Sequence, residues 1–237
     1  MTLDVLQNRR QIDQARSELE RRGLSALESR IARLLRRLRL TRTVGVGDEI
    51  KSWDVLRTVQ FLESNVPKAG TILDIGAYAS EVLSVLHRLG YTNLVGVDTN
   101  PELARSPNAE SIRYVIADFM ETPFPPQSFD AITAISVIEH GFDGKRLVSE
   151  LNRLLKRGGF FIASFDYWRQ KIDTKGQRFF DMDWLIFSEQ DVRKFVEDAR
   201  EQGLVPAGSL SFDVSDRPIE CVSQRYTFGW LVLKKVV

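Results

Sequence analysis

Unbroken apolar runs alternate with segments of helical spacing along most of this chain. In TILDIGAYASEVLSVLHRLGYTNLVGVD, residues 71–98, Ile72–Ile75 predicts a short strand ended by Gly76. Val82, Val85, Leu86 and Leu89 predict a helix over Glu81–Leu89, and Leu94–Val97 predicts a second strand ending in Asp98. Strand, turn, helix and strand in so short a span predict one right-handed βαβ unit. Continuous rather than alternating apolar runs suit parallel strands covered on both faces. Ile112–Ala117 and Phe129–Ile135 predict a third and a fourth strand. A helix over Lys145–Leu155 is stopped by Arg157-Gly158-Gly159, and Phe160–Phe165 is the fifth strand. Ser188 is placed to cap a helix over Glu189–Gln202, with Asp191 at its third position. Two strand-like runs, Ser209–Val214 and Tyr226–Leu233, predict a closing antiparallel hairpin.

The first 47 residues read differently. Leu24, Leu27, Ile31, Leu34 and Leu38 step by 3, 4, 3 and 4, which puts one apolar stripe on a helix. Residues 1–42 hold eleven arginines against five acids, a net charge of +6. Residues 1–47 are therefore expected to be a basic helical extension, and 48–237 an α/β domain entered by a helix over Asp48–Glu63. The stripe suits docking on that domain, pairing with a second copy as a homodimer through residues 1–42, or lying on an anionic membrane surface.

Composition narrows the function. Hydrophobic residues at 43% and charged residues at 27% are ordinary globular values, and 237 residues allow a full core. A net charge of +1 gives no global electrostatic case for nucleic acid. One cysteine, Cys221, excludes an internal disulfide and a thiolate metal cluster and fits a reducing compartment. There is no 18-residue apolar span, and residues 1–20 are too charged for a signal peptide. The expectation is a cytoplasmic protein with a small-molecule partner and no resident metal.

Ligands of such sheets sit at the carboxyl ends of the strands, where Gly76 and Asp98 fall. A carboxylate there can accept both hydroxyls of a ribose. His140, at the end of the fourth strand, has a side chain type that takes a proton near neutral pH. It can equally orient a loop. Asp166, Tyr167, Trp168 and Arg169 open a long polar-aromatic segment running to Trp184. Aromatic faces and carboxylates together suit a hydroxyl-rich acceptor.

LDIG followed by an acidic second-strand end resembles the start of a class I S-adenosylmethionine (SAM)-dependent methyltransferase. IADFMETPFPPQSFDAITAISVIEH is similar to that family's third and fourth strands, and LNRLLKRGGFFIAS to its entry into the fifth. The resemblance covers roughly residues 70–165 and implies a doubly wound, mostly parallel seven-stranded α/β sheet with a C-terminal antiparallel hairpin, here with the N-terminal helical extension. It implies SAM held by Asp74, Gly76, Ala77, Tyr78, Asp98, Thr99, Asp118, Phe119 and Ser136, with Asp118 on the adenine amine. It implies methyl transfer from SAM; with the polar-aromatic segment, the expectation is O-methylation of a hydroxyl-rich small molecule such as a sugar or saccharide intermediate, with His140 or Asp166 as the base and Tyr167, Trp168 and Arg169 near the acceptor. The family's turn is D-x-G-x-G-x-G, whereas this chain has Asp74, Gly76, Tyr78 and Ser80. That departure suits a second reading, a non-catalytic SAM-fold module dimerising through its N-terminal helices. The G-x-G-x-x-G turn of nicotinamide-linked sugar enzymes is missing.

Overall fold

A computed structural model describes residues 3–28, 34, 37, 38, 40 and 44–237. In chain order the elements are β1 (Leu3–Val5), α1 (Arg9–Arg21), α2 (Ser52–Asn65), β2 (Thr71–Ile75), α3 (Val82–Arg88), β3 (Asn93–Asp98) and β4 (Ile112–Ile116). Then come β5 (Phe129–Ile135), α4 (Gly144–Leu154), β6 (Leu155–Tyr167), β7 (Arg178–Phe179), β8 (Met182–Asp183), α5 (Glu189–Glu201), β9 (Leu204–Pro206), β10 (Ile219–Cys221) and β11 (Gln224–Lys235). The chain divides into two compact units, residues 12–123 and residues 1–11 with 124–237.

The unit of residues 12–123 is built on β2, β3 and β4, paired in parallel with Ile72 opposite Leu94 and Leu94 opposite Ile112. Ile72, Leu73, Val85, Leu86 and Val97 are all buried. Each such side chain contributes about 1.5–3 kcal/mol of apolar burial. Gly96 is needed where α3 and β4 press on β3. A Cβ there would lie 2.8 Å from Tyr114 Cδ1 and 2.9 Å from both Ala77 Cβ and Leu83 Cδ1. Gly96→Ala is therefore expected to cost about 1–3 kcal/mol through forced repacking, read as a fall in denaturant midpoint.

The other unit centres on β6, which pairs in parallel with β5 and antiparallel with β11. Phe129, Phe161, Phe165, Phe187 and Phe228 are fully buried there. Helix α4 is capped by Asp143, whose side chain accepts from the Arg146 amide. At the start of α5, Ser188 and Asp191 complete a capping box.

Three expectations are corrected. The stripe at Leu24–Leu38 is not one continuous helix: α1 ends at Arg21, and residues 24–28 are irregular, with Leu24 buried. Ile31 lies outside the described residues, and Leu34 and Leu38 are exposed. The helical basis for pairing through residues 1–42 is thus gone over its first turns, and Leu3–Val5 is a strand in register with Gly229–Leu231 of β11. Arg157-Gly158-Gly159 does not separate helix from strand, because β6 begins directly at Leu155. These glycines sit in a register shift opposite Phe129–Ala131, with Gly158 at φ +82°. Finally, Ser209–Val214 forms no strand, although its period is right. The open edge of β11 is shared by β10, β1 and β9, and β1 takes the middle. Among the described residues no helix is long and apolar enough to cross a membrane.

Candidate functional site

The carboxyl ends of β2, β3 and β4 carry the first set of candidate residues. Gly76, at φ +69°, turns the chain out of β2. The Ala77 amide donates to Val97 O (3.1 Å) and the Tyr78 amide to Asp98 Oδ2 (3.0 Å), so the turn lies on the end of β3. The other Asp98 oxygen accepts from the Asn100 amide (2.9 Å). A carboxylate has about four lone-pair positions, and these amides take two of those at Asp98. Thr99 is exposed, and Asp74 is buried inside β2. At the end of β4, Asp118 is exposed and its Oδ1 accepts from the Met120 amide (2.8 Å), with Phe119 in the same turn.

The missing glycines have a structural answer. Tyr78 and Ser80 do not adopt positive φ; the left-handed residues of the turn are Gly76 and Ala79, the latter at φ +60°. Glycine's freedom is therefore not required at 78 or 80. Tyr78 is half-buried.

The carboxyl ends of β5 and β6 carry the second set. Ser136 leaves β5 at φ +53°, its amide shared between Ser164 O (3.0 Å) and Ser164 Oγ (3.1 Å). His140 follows in a turn closed by its own amide on Val137 O (3.1 Å). Residues 183–185 run antiparallel beside it: the Gly141 amide donates to Asp183 O and the Leu185 amide to Glu139 O, both at 2.9 Å. The hairpin of β7 and β8 thereby brings Phe179 and Phe180 edge-on to the His140 imidazole, with centroids at 5.9 and 5.4 Å. Phe180 is 79% exposed and sits at φ +54°.

Asp166 is buried, and its Oδ2 accepts from Trp184 Nε1 (2.8 Å). Burial, and then the negative charge of Asp166, push the Tyr226 phenol far above its usual range, with Cys221 and Glu139 adding to it. The Tyr226 hydroxyl therefore stays protonated. Tyr167 is fully buried; its hydroxyl donates to Phe212 O (3.3 Å), and burial pushes it up to about 12. Trp168 lies under the Arg217 guanidinium, 4.0 Å from the ring centroid, and Arg169 faces Glu189 (3.3 Å). Sequence reasoning singled out neither Trp184 and Tyr226 as partners of Asp166 nor Glu81, the buried acid that follows the turn at residues 76–80.

Parallel β2–β3–β4 and β5–β6 ladders with a C-terminal antiparallel β11 are those of the class I, Rossmann-like methyltransferase fold. Residues 73–163, less than half of the chain, match a family described as "Methyltransferase domain". It is 27% identical over 114 residues to a sterol 24-C-methyltransferase of Pneumocystis carinii, a match covering 45% of this chain and 30% of that one. The chain spans less than half the length of the curated relatives it matches. Among solved structures it is similar to a geranyl diphosphate C-methyltransferase from Streptomyces coelicolor A3(2), with a TM-score of 0.60, 18% identity and coverage of 97% and 99% of the two chains. It is also similar to the cyclase SpnF, with a TM-score of 0.55, 15% identity and coverage of 81% and 83%. One fold thus serves more than one chemistry, and the site has to decide.

Proposed function

We propose that this chain is a SAM-dependent methyltransferase whose acceptor is a small molecule with an apolar body. The observation that carries the donor half is Asp98: two backbone amides orient its carboxylate at the β3 end and leave two acceptor positions for a vicinal diol. In this reading Asp98 would take the ribose hydroxyls and the exposed Asp118 the adenine amine, with the Phe119 amide beside it. Asp74, Gly76, Ala77, Tyr78 and Thr99 would bound the rest of the donor. When bound, SAM supplies a methyl group whose carbon is attacked by the acceptor as its bond to sulfur breaks. The protein's part is orientation, worth several kcal/mol in such a displacement, and removal of a proton, for which His140 is the candidate. Asp166 serves by positioning Trp184, since its carboxylate accepts the indole N–H.

For the acceptor, a saccharide loses its support. Tyr167 and Trp168, expected to bind it, are committed to Phe212 O and to Arg217, and Arg169 faces Glu189. The surface presented beside His140 is Phe179 and Phe180. The sterol and geranyl diphosphate enzymes named above are C-methyltransferases, which favours the same class. Mass spectrometry of the denatured purified protein is expected to reveal carried-over SAM or S-adenosylhomocysteine. Labelled methyl from SAM is expected to enter prenyl or sterol-like acceptors. Label in saccharides alone would overturn the acceptor class, and no donor bound in calorimetry would overturn the enzyme.

A further inference from the structure

We propose that Arg16 is a positioning residue for donor binding: by holding Glu81 it sets the shape of the turn at residues 76–80. This rests on the methyltransferase reading above and adds a residue from a distant helix to its machinery. Glu81 follows the turn directly and is the N-cap residue of α3. Arg16, on α1, grips it with both ends of the guanidinium, Nη1 to Oε1 (2.9 Å) and Nη2 to Oε2 (2.8 Å). The two side chains are 6% and 1% exposed. The Ala26 amide also donates to Glu81 Oε1 (2.7 Å), and Arg16 reaches Ser52 Oγ (2.9 Å) and Ser25 Oγ (3.0 Å). Two residues further into the turn, Ala79 O accepts from the Gly47 amide (2.9 Å). Gly47 fits because it has no side chain: at φ +81°, a Cβ would stand 2.5 Å from Leu27 Cδ2 and 3.1 Å from Glu81 Oε2.

A buried ion pair is a poor means of stabilising a fold, since desolvation offsets much of the attraction and apolar residues of similar size do as well. What it supplies is geometry. Ala79 is held in a left-handed conformation that a residue with a Cβ disfavours. Such a conformation persists only where the surroundings over-determine it. In the resembled family, glycines give this turn its freedom. Here the turn is clamped from behind by Arg16 and Gly47, and its front presents the Tyr78 amide to Asp98. A shift of Glu81 passes through Ala79 to that amide.

Isothermal titration with S-adenosylhomocysteine tests this on the full chain. The variant Arg16→Met/Glu81→Gln removes both charges and keeps an acceptor for the Ala26 amide; Arg16→Lys keeps the charge but loses the two-pronged grip. The double variant is expected to keep its melting temperature within a few degrees while its Kd rises about tenfold or more, with Arg16→Lys in between. KM for SAM should rise likewise while kcat at saturating SAM stays unchanged. Wild-type Kd in the variants, with the parent binding, overturns the role of Arg16 alone. No binding by the parent overturns the donor site and this role with it. If the double variant does not fold, Arg16→Lys decides by the same change in Kd.

Discussion

Asp98→Asn and Asp98→Ala are expected to lose SAM binding in that order of severity, with Ala falling below detection. A hydrogen bond to a charged group is worth about 1.5–3 kcal/mol. Two of them, to the hydroxyls of one ribose, therefore correspond to about 10²-fold or more in Kd. The carboxylate also anchors the Tyr78 and Asn100 amides from its two oxygens. Alanine abandons both amides and loosens the turn as well as losing the diol. Asparagine keeps one acceptor oxygen and one of the two anchors, so it disturbs the turn less than alanine while still losing part of the diol site. Calorimetry with SAM, run beside thermal melts, reads both. Unchanged affinity in Asp98→Asn would remove the residue from the donor site and leave it as the knot that ties β3 to the turn.

His140→Ala is expected to lower kcat by about 10²-fold, the usual worth of one positioned proton acceptor, without changing KM for SAM. The backbone of this residue is fixed by the Val137 carbonyl and by the neighbouring Asp183–Leu185 segment, so removing the imidazole should leave the turn in place. His140→Gln separates chemistry from packing. It fills the same space beside Phe179 and Phe180 but has no basic nitrogen. Equal loss in the two variants, read as S-adenosylhomocysteine release in the presence of acceptor, assigns proton transfer to the ring. Recovery in His140→Gln assigns the imidazole to holding the hairpin of β7 and β8 instead.

Local pattern carried a long way in this chain. Strands β2 and β3 were legible because each is a continuous apolar run closed by glycine or an acid, as a parallel strand buried on both faces requires, whereas β4 and β5 carry polar residues such as Arg113 and Asp130 within their runs. The caps at Asn100 and Ser188 were legible because their side chains bond amides two or three residues on. Asp98 and Asp118 were legible as strand-end acids by position alone. The apolar steps of residues 24–38 misled for a physical reason: helical spacing records which residues want burial, not whether the backbone between them is helical. Leu24 is buried by tertiary contact from an irregular segment.

Other features arise only when distant segments meet. Nothing near Leu3–Val5 says that it will take the middle of the β11 edge in place of Ser209–Val214, because either run has the right period and the choice belongs to the whole sheet. Trp184 and Tyr226 become partners of Asp166 only once β6, β11 and the returning loop are side by side. Arg16 looks like one more solvated arginine in a basic segment until Glu81, 65 residues away, meets it in the core. By itself the sequence determined the parallel strands, their caps and the acids at their ends, since burial on two faces and short-range hydrogen bonds are written in neighbouring residues. Only the tertiary structure decided which strand closes the β11 edge, which tyrosine is spent on the core and which arginine stands behind the turn, because those are energies of contact between segments far apart in the chain.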